Sequence, residues 1–273
     1  MTGTTARLLS VARILLVAAF VFPVYWMIVS SFAPEASLFE VPPLVPKQLT
    51  TDHYRALFDE RQFWLPLRNS LIVSSATTAL AIFTGTLAAY ALTRLAFRGR
   101  TWLLAGVLAV SMLPQIALVP PLYLALRATH LINTYTGLVL PYLSFALPLS
   151  VWLLVGYFRQ LPQDVEDAAR VDGASRVQVL WHIVLPLAWP GVATAAILTF
   201  LFCWNEFIFA LSFTLGPERQ TAPVAIALFR GRYQVPWGQI LAAAVVTTLP
   251  IVAIVVAFER RIVEGLTAGA MKG

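Results

Sequence analysis

"EDAARVDGASRVQVLWHIVLPLAWPG", from Glu166 to Gly191, sets acids, arginines and small residues between two apolar stretches, each long enough to cross a bilayer. It reads as two short helices joined by a turn. Pro162 fits a first helical turn, where its missing N–H costs nothing. Asp164, Glu166 and Asp167 then favour the positive end of that helix's dipole. Val165, Ala168, Ala169 and Asp172 follow helical spacing and share one face. Small side chains dominate that face, so another protein can approach its backbone closely. Gly173 ends the helix because it takes a left-handed conformation without steric cost. Ser175 opens the second helix, with Gln178 three residues later as its capping-box partner. Val177, Leu180, Trp181 and Val184 form an apolar stripe suited to lying along a membrane surface. Pro186 and Pro190 then break the helix, so the chain turns into the next apolar run. The polar element is a knob rooted in two spans.

Composition explains why such a knob stands out. The chain of 273 residues is 59% hydrophobic and 12% charged, with mean hydropathy +0.78. Soluble domains carry roughly a quarter of their residues charged. Half that proportion, with long apolar runs, identifies a polytopic membrane protein. The net charge of +6 comes from 17 Arg and 2 Lys against 13 acids. The arginines lie at the ends of apolar runs, where they orient membrane proteins, and this placement excludes nucleic-acid binding. The lone Cys203 permits no intrachain disulfide. His53, His130 and His182 are scattered without metal spacing, so no metal site is expected.

Six segments satisfy the length rule for membrane helices: about Ile14–Phe32, Asn69–Ala91, Trp102–Leu126, Tyr135–Tyr157, Pro190–Leu215 and Gly238–Phe258. The expected fold is therefore an all-α membrane protein with six transmembrane helices and a helix-turn-helix between helices 4 and 5. It is expected to form one domain over 1–273, with an outer loop at about 33–67, the knob at about 159–189 and a tail at about 259–273. The first segment resembles a signal peptide in its flanking Arg7 and Arg13. Its length and the absence of a small-residue cleavage site make it a retained span. The loop from Arg94 to Arg100 holds three arginines and no acid, which favours cytoplasmic N- and C-termini. In the outer loop, Pro34, Pro42, Pro43 and Pro46 predict extended chain. "TTDHYRALF" predicts a short helix with Asp52 as N-cap and Tyr54, Leu57 and Phe58 on one face. The prolines within the spans, Pro114 among them, predict kinks.

The residues around the knob also carry a family resemblance. "PQDVEDAARVDGASRVQVLWHIVLPLAWPG" resembles the coupling motif of binding-protein-dependent ABC importer permeases. In that motif, Glu-Ala-Ala is followed after fixed intervals by Gly and then Ile-x-Leu-Pro. Here the matching residues are Asp167-Ala168-Ala169, Gly173 and Ile183-Val184-Leu185-Pro186, with both spacings kept and Asp in place of Glu. "WNEF" (Trp204–Phe207), "PVAIALFRGRYQVPWG" and the tail "ERRIVEGLTAGAMKG" are similar to the carbohydrate, maltose-type branch, in its second permease subunit. The resemblance implies a second homologous permease, two ATPase subunits and an external solute-binding protein. It makes Glu166, Asp167, Ala168, Ala169, Arg170, Asp172 and Gly173 the ATPase-coupling residues, and Gly265, Leu266, Thr267, Ala268 and Gly269 a second ATPase contact. ATP and Mg would be bound by the partners, since this chain has no phosphate-binding Gly-x-x-x-x-Gly-Lys-Ser/Thr loop.

Other residues leave alternatives open. Glu206, next to Asn205, is the only acid well inside a span. It either lines the solute path or makes an interhelical hydrogen bond that fixes the fifth span. Arg230, Arg232, Tyr233 and Trp237 either anchor the chain at the membrane interface or contact the binding protein. Asn133, Thr134 and Tyr135 read as loop and interface residues. An ion-coupled secondary transporter or channel is the alternative function, supported only by Glu206. The sequence shows no His-Glu-x-x-His, no Gly-x-Ser-x-Gly and no paired intramembrane aspartates, which argues against a membrane enzyme.

Overall fold

Backbone hydrogen bonds that cannot reach water must close within the chain, and among the described residues the regular structure that does so is helical. The computed structural model describes the backbone of residues 3–39, 48–229 and 235–270, with side chains over 9–39, 48–229 and 235–258. Arg230, Arg232, Tyr233, Pro42, Pro43 and Pro46 lie outside the described residues. In chain order the helices are α1 (Gly3–Ser31), α2 (Asp52–Arg55), α3 (Trp64–Arg94), α4 (Arg100–Ser111), α5 (Gln115–Ala128), α6 (Tyr135–Phe158) and α7 (Asp164–Val171). They continue with α8 (Arg176–Val179), α9 (Leu185–Leu187), α10 (Trp189–Trp204), α11 (Ile208–Phe213), α12 (Ala222–Ala227) and α13 (Trp237–Ala270). Segments of α1, α3, α6 and α13 are each long and apolar enough to cross a membrane.

Two further candidate spans are bent pairs. Helices α4 and α5 meet at 93°, and Arg176–Leu187 meets α10 at 79°. The expected kink in the third segment is thus a full break at Met112–Pro114. Pro114 donates no N–H and is the extended N-cap of α5, while the residue before a proline is pushed away from helical geometry. The fifth segment is also interrupted: α10 ends at Trp204, and α11 begins at Ile208.

The chain forms two compact units. One contains residues 65–224 and 251–273 and is built around two apolar clusters. The first joins Val73 and Ala81 of α3, Leu138, Tyr142 and Phe145 of α6, and Phe209 and Phe213 of α11, with Leu118 and Leu122 of α5 packed on it. The second joins Ala89 and Tyr90 of α3, Val151, Leu154 and Phe158 of α6, and Val192 and Ala195 of α10, with Leu104 and Val107 of α4 against it. The bend between α4 and α5 therefore sends the two halves of one segment to different clusters. Close helix approaches depend on glycine: a Cβ on Gly191 of α10 would strike the Tyr157 ring of α6.

The other unit contains residues 1–64 and 225–250. Here Glu35 caps the start of α13, its carboxylate accepting from the backbone N–H groups of Trp237 (2.9 Å) and Gly238 (3.0 Å). His53 is buried rather than at the surface, its Nε2 lying 2.8 Å from the Ala33 carbonyl. Thr51, not Asp52, holds the N-cap position of α2, and its side chain makes no capping bond. His53 of α2 and Leu57 of the π-turn that follows it (Ala56–Glu60) are buried, Tyr54 is half-buried, and Phe58 is exposed. Of the expected face, Leu57 and Tyr54 turn inward and Phe58 does not, while His53 joins them.

Gly137 gives a direct test of the packing, because a Cβ there would collide with the Leu131 backbone carbonyl, which cannot swing aside. Gly137→Ala is expected to lower stability by about 1–3 kcal/mol, read as a lower melting temperature in detergent. Gly156→Ala, which meets open space, should leave the melting temperature unchanged.

Candidate functional site

The knob forms as its local chemistry requires. Gly173 has φ +89° and ends α7 in the left-handed region. Ser175 and Gln178 complete the capping box of α8: Gln178 Oε1 accepts from the Ser175 N–H at 2.8 Å, and Ser175 Oγ accepts from the Gln178 N–H at 3.4 Å. Gln163 takes the N-cap position of α7, so Pro162 precedes the helix instead of occupying its first turn. Beyond α8, a single π-turn over Leu180–Val184 leads into α9.

The face presented outward differs in part from the expected one. Val165, Ala168 and Asp172 are exposed, as are Asp164, Asp167 and Arg170. Arg170 reaches Asp167 at 3.4 Å along the exposed surface. Ala169 is half-buried against the second cluster. Glu166 turns away from any partner: its carboxylate is buried and lies 2.6 Å from Arg94 Nε at the end of α3. Helical periodicity explains this, because Glu166 and Ala169 stand three residues apart on the inward side. Sequence reasoning missed Val171, which is 88% exposed at the tip beside Gly173. An isolated apolar side chain at the apex of a polar knob was the available signal.

The stripe of the second helix also divides. Val179, Leu180 and Val184 are buried in the second cluster, while Val177 and Trp181 are exposed. One side of the helix is buried in protein, and the adjacent apolar side is exposed, with Trp181 stacked on the Phe83 ring.

Glu206 lies in the break between α10 and α11. Its Oε1 accepts from the Phe209 N–H at 2.7 Å, and its Oε2 accepts from the Ala210 N–H at 3.1 Å. The acid thus caps a half-helix, satisfying amides that have no partner one turn back. Neither an interhelical bond nor an open path position describes it fully. The same break borders a cleft of about 510 Å³, with Gln115, Asn205, Glu206 and Phe202 among its lining. Glu206 is 5% exposed, whereas Asn205 is exposed and anchors its amide on the Leu201 carbonyl at 2.8 Å. Gln115, brought to this cleft by the break before α5, was not singled out from sequence.

At the opposite end of α6 from the knob, Asn133 takes φ +61° and joins two connections. Its N–H donates to the Phe213 carbonyl, its side-chain oxygen accepts from the Leu215 N–H, and its amide donates to Glu218 at 2.6 Å. That bond holds the Glu218 carboxyl below its ordinary range. Asn69 and Tyr135 add a hydrogen bond of 2.7 Å, with the Arg219 guanidinium over the Tyr135 ring. Asn133 and Tyr135 are therefore structural ties, in keeping with their reading as loop and interface residues.

Trp237, the remaining described residue of the expected binding-protein contact, is 49% exposed at the start of α13. The tail residues Gly265–Gly269 continue the helix of α13, which runs unbroken to Ala270. The tail expected from about residue 259 is thus helical backbone as far as Ala270. Among the described residues no cluster of His, Cys, Asp or Glu is arranged to hold a metal.

Comparison with known proteins gives one consistent result. Residues 81–267 match the family described as binding-protein-dependent transport system inner membrane component. The chain is 43% identical over 269 residues to the trehalose/maltose transport system permease protein MalG of Thermococcus litoralis, covering 97% of this chain and 96% of that protein. It is 44% identical over 261 residues to the trehalose transport system permease protein SugB of Mycobacterium tuberculosis, covering 95% of each. Among solved structures, a chain of a bacterial ABC transporter that imports the acidic polysaccharide alginate shares the fold, with TM-score 0.78 at 20% identity over 95% of this chain and 98% of that one. With a family match across more than half its length and relatives this similar end to end, the chain is a multi-pass membrane protein belonging to the binding-protein-dependent transport system inner membrane components.

Proposed function

We propose that this chain is a permease subunit of an ATP-driven importer that moves a carbohydrate, or a related polyol or sugar derivative, across the cytoplasmic membrane. The observation that carries the proposal is the knob: a narrow exposed face ending in Val171 and Gly173, rooted by buried side chains in α3, α6 and α10. A polar protrusion fixed to several spans transmits force from a partner into the membrane. The names of the relatives, a trehalose/maltose and a trehalose permease, supply the solute class.

In this reading a second homologous permease completes the pathway, two ATPase subunits bind ATP and Mg, and an external binding protein delivers the solute. Asp167, Ala168, Arg170, Val171 and Asp172 touch the ATPase, and Gly173 allows the turn that presents them. Glu166 and Ala169 support the knob from within. The arginine-rich loop from Arg94 to Arg100 and the knob lie on the cytoplasmic side, with both termini. From Phe258 the helix of α13 extends 12 residues to Ala270, roughly 18 Å at 1.5 Å per residue. That length carries Gly265–Gly269 clear of the span and toward the ATPases. Asn205, Glu206 and Gln115 border the solute path, and Trp237 with Arg230, Arg232 and Tyr233 faces the binding protein.

Three outcomes follow from this reading. Purified in mild detergent, the chain should bring down a related permease and two ATPase copies, and the vesicle-reconstituted complex should import trehalose or maltose only with ATP. A homo-oligomer that moves solute without ATP would establish the secondary-transporter alternative. Ala168→Trp and Val171→Glu should each lower binding-protein-stimulated ATP hydrolysis about tenfold or more, the effect of losing roughly 1.4 kcal/mol at a docking contact. Membrane levels of these variants should stay normal, because both side chains are exposed. Glu206→Ala, which leaves buried N–H groups unpaired at about 1–3 kcal/mol, should reduce transport and thermal stability together. Glu206→Gln, which keeps one acceptor, should fall between it and the unmodified protein in both measurements.

A further inference from the structure

We propose that the Arg94–Glu166 ion pair is a positioning latch that makes the knob helix α7 and the span α3 move as one body. This rests on the reading of the knob as the ATPase-docking element and names the route by which its movement enters the membrane.

The geometry singles out this pair. Arg94 Nε lies 2.6 Å from Glu166 Oε1, and the two side chains are only 7% and 8% exposed. The same guanidinium donates from Nη2 to the Leu161 carbonyl at 3.3 Å. One side chain therefore joins the end of α3, the turn after α6 and the first turn of α7. Each partner also suits its own helix dipole, a cation in the last turn of α3 and an anion in the first turn of α7.

Among the described residues, no other side-chain hydrogen bond or ion pair joins α7 to α3. A helix of eight residues has little stability alone. Its remaining inward side chain against the second cluster is Ala169, a single methyl. Apolar contact of that size permits sliding, whereas a buried charge-assisted hydrogen bond fixes both distance and angle. The following helix is held differently, by Val179, Leu180 and Val184 against α6 and α10. A push on the knob thus divides: α8 passes it by packing, and α7 passes it through Arg94.

The separation of neighbouring acids supports the same assignment. Asp164 and Asp167 are exposed, while Glu166 between them is buried. Burying a carboxylate costs free energy unless a cation meets it, so Arg94 specifies which acid of the first turn faces inward and hence the rotation of α7. A polar recess of about 140 Å³ beside the pair is bordered by Tyr90, Gln163 and Arg176. Its room lets the ends of the pair travel together.

The test uses the reconstituted complex with its partner permease, ATPases and binding protein. Single variants Arg94→Gln, Glu166→Gln, Arg94→Glu and Glu166→Arg are compared with the exchange Arg94→Glu/Glu166→Arg. The readouts are ATPase co-purification, basal ATP hydrolysis, its stimulation by solute-loaded binding protein, and solute moved per ATP. The single variants should retain the ATPases and basal hydrolysis but lose about tenfold in stimulation and in solute per ATP, and the exchange should recover most of both. Arg176→Gln, which alters the recess without altering the pair, should couple normally. Single variants with unaltered coupling, or an exchange variant that assembles yet remains uncoupled, would overturn the latch. If the single variants do not reach the membrane, the exchange decides alone: assembled and coupled supports the latch, assembled and uncoupled overturns it. A failure of the unmodified chain to bind any ATPase would instead overturn the importer reading, and the latch with it.

Discussion

Hydrocarbon offers no hydrogen bonds, so each interruption of a membrane helix has to be satisfied from within the chain. This constraint governs where the described helices break. At Met112–Pro114 the break places a residue that has no N–H at the start of the new helix. At Ala188 the turn passes directly into α10, and the Ala188 N–H still bonds the Val184 carbonyl at 2.8 Å. At Asn205–Phe207 an acid supplies both acceptors, and Asn205 returns its own amide to the preceding turn. Each break is a chemical solution to the same problem. A cleft beside the third is a direct consequence, since a helix that stops leaves space beyond its end.

These breaks also distribute the packing. Helices α3 and α6 run the length of both apolar clusters, while α4 and α5 divide between them. The two long helices act as struts, and the bent segment ties one cluster to the other at 93°. Leu180 and Val184 root the knob in the second cluster, which α3 and α6 join to the first. The small residues at the closest approaches, such as Gly191 beneath the Tyr157 ring, keep those contacts tight.

Much of this was legible in the sequence because it is local. Gly173, the Ser175–Gln178 capping box and the apolar spans each follow from residues within one or two helical turns. The errors came where distant residues decide. Glu166 and Asp167 are adjacent and chemically alike, and only Arg94, 72 residues earlier, determines which one is buried. The fifth segment was read as continuous because a window of apolar residues averages over a three-residue break. The paired Asn205 and Glu206 were its only sign. The burial of His53 is decided in the same way, by the distant Ala33 carbonyl that lies beside its ring.

The division of labour among the knob's acids has a physical consequence for the family motif. A carboxylate that docks a partner must remain hydrated until the partner arrives, and one that positions a helix must be desolvated and paired beforehand. One residue cannot meet both demands. Adjacent acids on a helix point about 100° apart, so one can face the partner while the other faces the span. Asp167 in the motif position is exposed, and Glu166 before it is desolvated and paired with Arg94. The longer Glu arm serves the inward role, where it must reach Arg94. The shorter Asp serves the outward one, held near the surface beside Arg170. Under the proposed function, the Asp found where the family usually has Glu keeps the docking charge close to the backbone of a knob whose small side chains admit a partner at short range.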